Sequence, residues 1–499
     1  MEDKKNKNLV FIVSLLLCGA IAVWAVAFNK SFTAVSNAMF SFFTRDFGWL
    51  YLAVMLVFVV FCFVIAFSKW GDITLGDDGD KPEYSTVSWF GMLFGCGMGV
   101  GLVFWGVAEP LSYYIAPVSS VEPQSADAAN FAIKASYMHW GVTPWANYSI
   151  VGLALAYFVF RKKKKGMVSS TLIPLIGEKG ADGWLGKLVD ILAVFATVAG
   201  VVTSLGLGVM QINSGLNKLF GLPSNMGTYI AIILIISVIY IGTAVAGIDK
   251  GIKLIGDINL YLCIGLLVLC FLVGPKLEVL NNFVGGMGAY IQGFIKDSLM
   301  VNGYGADNDW VYAWRIFYWA WWIAWAPFVG IFIARISRGR KIREFIICVM
   351  LIPAVTDLLW FAVFGSMGLH LAQAGVLTAA QLEMISAAPE MGLFMVLEQY
   401  PIGKIISILA IILLNTFFVT SANSGTFVLS MLSSDGTLNP PKKKMLLWGI
   451  IQSAMAIGLL MAGGLKPLQT ISIAAAFPFI FVMLAIMVST VKALKQENL

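Results

Sequence analysis

Six of the sixteen tryptophans in this 499-residue chain fall between Trp310 and Trp325. The core of that segment reads Tyr318–Trp319–Ala320–Trp321–Trp322–Ile323–Ala324–Trp325–Ala326–Pro327–Phe328. Indole faces attract a cation whose charge is spread over methyl groups and which has no N–H to donate. Each good cation–π contact is worth roughly 0.5–2 kcal/mol. Trp319, Trp322 and Trp325 recur at i, i+3, i+6, and Trp321 pairs with Trp325 at i+4, so a helix would present them on one broad face. An aromatic belt at the membrane interface is the plain alternative. A belt needs one or two such residues near a helix end, whereas here four fill two turns, about ten residues before the basic stretch that opens at Arg335. The chemistry suggested is an aromatic cage for a quaternary ammonium.

A second aromatic set lies in His139–Trp140–Gly141–Val142–Thr143–Pro144–Trp145–Ala146–Asn147–Tyr148. Trp145 and Tyr148 share a helix face, and Pro144 loosens the helix that carries them. Together with the first set they could form a box; alone they would be ordinary packing. Upstream, Gly95–Cys96–Gly97–Met98–Gly99–Val100–Gly101 alternates glycine with other residues. Such a run suits close helix–helix packing, or equally a helix broken at mid-membrane whose free carbonyls face an ion. Phe417–Phe418–Val419–Thr420–Ser421–Ala422–Asn423–Ser424–Gly425 offers hydroxyl oxygens for the same purpose. Back-bonding of those hydroxyls to their own helix is the alternative.

Three ionisable residues stand within apolar stretches. Asp357 is a functional candidate by default, for protons or sodium, although exposure to water or pairing with an arginine would account for it. His139 suits a hydrogen-bonded packing role better than pH sensing. Glu109, before Pro110, is expected to tie a helix end. The six cysteines lie in apolar surroundings without metal-ligand spacing. No nucleophile–base pair or phosphate loop occurs, so enzyme and ATP-driven pump are both disfavoured. Nor is there a repeated filter sequence for a channel or a signalling domain for a receptor.

The elements that position these residues follow from composition. Hydrophobic residues make up 59% of the chain and charged residues 12%, about half the charged share of a soluble domain. The net charge of +6 sits in short basic runs between apolar stretches, which reads as membrane topology rather than nucleic-acid binding. About twelve stretches are long enough to span a bilayer, near 9–28, 48–68, 88–114, 137–160, 186–213, 227–247, 254–274, 311–336, 343–366, 402–432, 445–463 and 468–491. The third, fifth, eighth and tenth are long or interrupted. The Lys4, Lys5 and Lys7 leader, Arg161–Lys165, Lys250 with Lys253, Arg335–Arg343, Lys442–Lys444 and Lys492 with Lys495 all fall on one side of this arrangement. Both termini are therefore expected in the cytoplasm, with the protein in the inner (plasma) membrane. The segment Leu277–Met300 is expected to lie along the outer surface as an amphipathic helix.

The tryptophan segment running on into Ala334–Arg335–Ile336–Ser337–Arg338–Gly339–Arg340 resembles the betaine/choline/carnitine transporter family. So do Gly97–Gly101 continuing to Gly106–Val107–Ala108–Glu109–Pro110, and the His139–Tyr148 segment. The resemblance covers essentially the whole transmembrane chain. It implies an all-α membrane protein of twelve spans with the LeuT-like fold. The implied parts are two leading helices (1–87), inverted five-helix repeats (88–274 and 301–492), a surface helix (275–300) and a short tail (493–499). It also implies homotrimers and sodium-coupled symport of glycine betaine or a similar solute. Sodium-independent carnitine/γ-butyrobetaine exchange and choline uptake are the alternatives. The implied substrate site comprises Trp140, Trp145, Tyr148, Met98, Gly99, Gly101, Trp319, Trp321, Trp322 and Trp325. One sodium site would use Gly95, Met98, Phe417, Thr420 and Ser421, and a second would use Thr197, Asn259 and Phe328. Val201 stands where sodium-coupled members carry a further threonine, and Asn423 where an aspartate is common. The short tail after Val491 makes osmosensing through a long charged tail unexpected. Choline-type members tend to carry an acidic residue at the position of Gly101, so glycine there favours a zwitterion.

Overall fold

A backbone inside a bilayer must satisfy its own hydrogen bonds, and apolar segments of this length do so as helices. The computed structural model describes residues 8–97, 99–246, 249–304, 308–437 and 439–497. Met98 and the lysines of the leader lie outside the described residues. The elements used below are α1 (Leu9–Ala27), α2 (Asn29–Ser41), α3 (Gly48–Phe67), α4 (Thr86–Gly97), α5 (Val100–Ile115), α6 (Ala126–Trp140), α7 (Val142–Ala156) and α8 (Trp184–Phe220). They continue with α9 (Met226–Ala246), α10 (Asp249–Val273), α11 (Lys276–Ser298), α12 (Ile316–Arg335), α13 (Ile342–Gln373), α14 (Gly403–Leu432), α15 (Lys442–Met461) and α16 (Leu465–Leu494). The described residues form no strand; one isolated bridge joins Thr74 and Lys341.

Among the described residues, 11 helices are long and apolar enough to cross a membrane. The expected third span is not among them, because it is divided. Its halves, α4 of 12 residues and α5 of 16, meet at Gly99, whose backbone is extended at φ −162°, ψ −178°. Alternating glycines cost helix propensity on both sides of that point. The fifth, eighth and tenth spans run as continuous α-helix through their centres, although the eighth opens with a π turn at Val311–Arg315.

The fourth span is broken instead, at Gly141 (φ −75°, ψ −140°). It also begins earlier than residue 137. Ser125 caps α6 by accepting from the Ala128 N–H, and an alanine-rich stretch carries the helix inward. Pro144 falls in the first turn of α7, where its missing N–H has no helical acceptor to leave empty.

The segment expected to lie along the surface is helical, as α11. It lies on α6 and α13, with Lys134 of α6 bound to Asp297 at 3.0 Å. Its Tyr290 hydroxyl accepts from the Val142 N–H at 3.1 Å. A Cβ at Gly141 would fall 2.5 Å from that hydroxyl oxygen, so only glycine lets α11 brace the break. Leu277, Leu280, Val284, Ile291 and Ile295 line its exposed side.

Three of the basic runs, Arg161–Lys165, Arg335–Arg343 and Lys442–Lys444, lie near one another at one end of the bundle, while the side chains of Lys250 and Lys253 lie outside the described residues. Arg161 donates to the Thr74 carbonyl, Thr74 bridges to Lys341, and Gly436 lies against Gly166. Most of these charges are paired locally: Lys163 with Asp77, Lys164 with Glu178, Lys165 with Asp182, and Arg343 with Asp72.

Candidate functional site

The break at Gly141 puts Trp140 at the end of one helix and Trp145 and Tyr148 in the first turns of the next. All three side chains are buried. α12 packs along α7 and brings Trp322 within 4.9 Å of Trp140, edge to face at 74°. Trp321 stacks on Trp322 at 4.8 Å and 14° and meets Trp140 at 6.3 Å. Tyr148 meets Trp322 at 6.4 Å and Trp145 at 5.4 Å. Five of the expected cage residues therefore form one connected set.

Gly101 closes a side of this set. A Cβ there would fall 2.6 Å from Cη2 of Trp321 and 3.4 Å from Cη2 of Trp140. The other two tryptophans turn elsewhere. Trp319 meets the His139 ring edge-on at 5.8 Å. Trp325 packs on Phe328 at 5.1 Å and against Gly200 of α8, where a Cβ would fall 2.6 Å from its ring. Gly99 stands at the break of the third span with nothing within 4 Å of where its Cβ would be.

Hydrogen bonds between helices fix the rings. Asn147 Nδ2 donates to the Trp322 carbonyl at 2.8 Å, and Trp322 Nε1 donates to the His139 carbonyl at 2.9 Å. Trp140 Nε1 donates to Glu109 Oε2 at 2.8 Å. Glu109 is fully buried; it also accepts from the hydroxyls of Tyr113 (3.0 Å) and Tyr318 (2.5 Å) and bonds His139 Nδ1 at 2.8 Å. Arg315 donates to His139 Nε2 at 3.3 Å and to the Asp297 carbonyl. The expected helix tie at Glu109 is thus part of a six-residue network, Glu109, Tyr113, His139, Trp140, Arg315 and Tyr318, that includes Trp140 of the cage. The sequence reading missed Arg315, Tyr113 and Asn147. A lone arginine inside an apolar, tryptophan-rich segment is itself a signal of a buried network.

Asp357 does not face water and carries no arginine among the described residues. It is buried and accepts from Trp145 Nε1 at 3.1 Å.

The oxygen-bearing side lies across α8, α10 and α14. The Thr420 hydroxyl donates to the carbonyls of Thr416 (3.0 Å) and Phe417 (3.1 Å), and accepts from Asn259 Nδ2 at 3.2 Å. Asn259 Oδ1 is buried with no hydrogen bond among the described residues. Members of the two expected sodium sets, Thr420 and Asn259, are therefore neighbours. Thr197 bonds the Ala193 carbonyl of its own helix at 2.8 Å. Ser421 is half-buried. Gly95 has nothing within 4 Å of where its Cβ would be, and α4 packs on α13 and α10. Val201 faces Gly425, whose Cβ would fall 3.1 Å from its methyl group. Asn423 turns to α9, donating to Thr243 Oγ1 at 3.0 Å and the Tyr240 carbonyl at 3.3 Å.

A bundle of membrane-crossing helices with two broken spans meeting at a buried aromatic set is the architecture of a transporter. The model of the betaine/carnitine/choline family transporters matches residues 9–499. The glycine betaine transporter OpuD of Bacillus subtilis (strain 168) is 45% identical over 495 residues, covering 99% of this chain and 96% of that protein. A probable glycine betaine transporter of Desulfitobacterium hafniense (strain Y51) is 43% identical over 503 residues, covering 100% and 99%. An ectoine/hydroxyectoine transporter of Virgibacillus pantothenticus is 42% identical over 497 residues, covering 99% and 98%. The chain belongs to the betaine/carnitine/choline transporter family, and it is a multi-pass membrane transporter, not an enzyme.

Proposed function

We propose that this protein carries glycine betaine, or a closely similar betaine, into the cell by sodium-coupled symport. The observation that carries the reading is the connected set Trp140, Tyr148, Trp321 and Trp322, drawn from three helices and closed by Gly101. Several ring faces and edges from different helices can surround a trimethylammonium group, which offers no hydrogen-bond donor. Gly101 supports a zwitterion over choline, because an acidic side chain there would collide with Trp321. A cargo bearing its own carboxylate needs no acid at that place.

Sodium is the second cargo in this reading. The orphaned, buried Asn259 Oδ1 beside Thr420 suits a hard cation that takes oxygen ligands. In this reading Asn259, from the second set that the family resemblance implies, joins the Thr420 hydroxyl and the Phe417 carbonyl in holding the ion, with Gly95, Met98 and Ser421 of the first implied set around them. At the second expected set, Val201 presents methyl groups, so Thr197 and Phe328 support at most a weaker site. The reading includes the homotrimer, with the exposed apolar stripe of α11 as its contact, and cytoplasmic termini at the end where three of the basic runs lie.

Competition against labelled glycine betaine in proteoliposomes tests the cargo. Unlabelled glycine betaine is expected to compete at least about tenfold better than choline, carnitine or ectoine. Ectoine belongs in this panel because one relative is named for it. Equal or better competition by choline or ectoine would overturn the assignment.

A further inference from the structure

Two indoles of the site donate their N–H to buried carboxylates, Trp140 to Glu109 at 2.8 Å and Trp145 to Asp357 at 3.1 Å. The two acceptors are compensated very differently. Glu109 collects Tyr113, Tyr318 and His139 as well, with the Arg315 guanidinium on the far side of that histidine. Asp357 receives the Trp145 N–H on Oδ2, and its Oδ1 is buried with no hydrogen bond among the described residues. α7 contributes Trp145 to its surroundings and α10 contributes Cys263; neither is a cation. It sits midway along the 32-residue α13.

A carboxyl buried in an apolar interior without a positive partner keeps its charge only when a cation comes near, and such groups in membranes mark the paths of charged cargo. Trp145 links this one to the cage. Donating an N–H to an anion pushes electron density onto the indole ring and deepens the negative potential over its face. The face then attracts a cation more strongly, and the carboxylate adds a direct Coulomb attraction that water scarcely screens there.

We propose that Asp357 is a specificity-determining residue for the positive end of the cargo. Acting through Trp145, it supplies the buried counter-charge that makes the site prefer a cation to a neutral group of the same shape. This rests on the cage reading above and adds the origin of its charge preference. The cargo class follows: solutes whose bulky end is a permanently charged, methylated nitrogen, rather than any compact apolar group that fits the box.

The test compares glycine betaine with 3,3-dimethylbutanoate, in which carbon replaces the quaternary nitrogen. Both are titrated as competitors for labelled glycine betaine on the purified full-length protein at saturating sodium. Asp357→Asn keeps the volume and an oxygen that can accept from Trp145, and removes the charge. The preference for glycine betaine over its carbon analogue is expected to fall at least about tenfold, about 1.4 kcal/mol. Trp145→Phe keeps an aromatic face without the N–H and is expected to lower the same ratio. The double variant should do no worse than the weaker single one, since both break one link.

A role in packing alone would weaken both ligands equally and leave the ratio intact. An unchanged ratio in both variants overturns the proposal, and so does a changed sodium requirement with an unchanged ratio. Should Asp357→Asn fail to elute as a single folded species, Trp145→Phe decides by its ratio alone. If the unmodified protein shows no preference for glycine betaine over the carbon analogue, the cage reading itself fails. If it shows the preference and Asp357→Asn retains it in full, only the role of Asp357 fails.

Discussion

The aromatic side of the site and its oxygen-bearing side are held in opposite ways. On the aromatic side, side chains bond across helices: Asn147 to the Trp322 carbonyl, Trp322 to the His139 carbonyl, Trp140 to Glu109 and Trp145 to Asp357. On the other side, hydroxyls mostly bond back to their own helix, as Thr420 does to Thr416 and Phe417, and Thr197 to Ala193. Among the described residues, the one cross-helix bond between proposed ion ligands joins Asn259 to Thr420. A wall fixed from several helices is organised before its cargo arrives, and so contributes affinity. Hydroxyls already engaged with their own backbone must share or exchange those bonds to meet an ion. Their occupancy can therefore be tied to a change of conformation, which is what coupling requires.

Perturbing the preformed wall should cost the most. Trp322→Leu removes a ring that touches Trp140, Tyr148 and Trp321. We expect the apparent constant for glycine betaine to rise about 30-fold or more, from one or two lost cation–π contacts plus lost ring packing. Initial uptake rates over a range of substrate concentration measure it, and a change under threefold would detach Trp322 from the site. Gly101→Ala places a methyl group 2.6 Å from Trp321, so a rise of about tenfold is expected, with sodium dependence unchanged. An altered sodium constant instead would move Gly101 to the other side of the comparison.

On the oxygen-bearing side the effect should be smaller and confined to the ion. Thr420→Ala, and separately Asn259→Ala, are expected to raise the sodium concentration for half-maximal uptake about three- to tenfold. Effects on glycine betaine affinity at saturating sodium should stay within about threefold. Equal losses in both constants would erase the division of labour.

The smallest change is expected far from both walls, at the end where three of the basic runs lie. Partial burial pushes the Glu497 pKa up, but hydrogen bonds from Arg161, Lys162 and Tyr157 outweigh it and bring the carboxyl to about 2. A lowered folded-state pKa means its contribution is complete above the ordinary value near 4.5 and fades as pH falls toward 2. Glu497→Gln is expected to leave both transport constants within about twofold at neutral pH. It should also flatten any loss of thermal stability seen between pH 4.5 and 3.

Much of this was legible in the sequence because membranes reward simple patterns. Apolar length placed the crossings, and clustered tryptophans marked one wall. Alternating glycine marked the break between α4 and α5. What escaped was set by contacts between distant segments. Gly141 breaks the fourth span because Tyr290 of α11 occupies the room beside it, and no local signal distinguishes it from other glycines. Arg315 reads as a stray charge until His139 and the Asp297 carbonyl are beside it. Helical spacing put Trp319 on the same broad face as Trp322. Yet Trp319 meets His139 while Trp325 meets Gly200, because neighbouring helices, not periodicity alone, decide where a ring finds space.

Sodium coupling is tested most directly by one measurement: accumulation of labelled glycine betaine in proteoliposomes with an inward sodium gradient and without one. Concentrative uptake that collapses when sodium is equal on both sides is the predicted result. Uptake indifferent to sodium but dependent on substrate preloaded inside would contradict it, showing an exchanger built around the same cage.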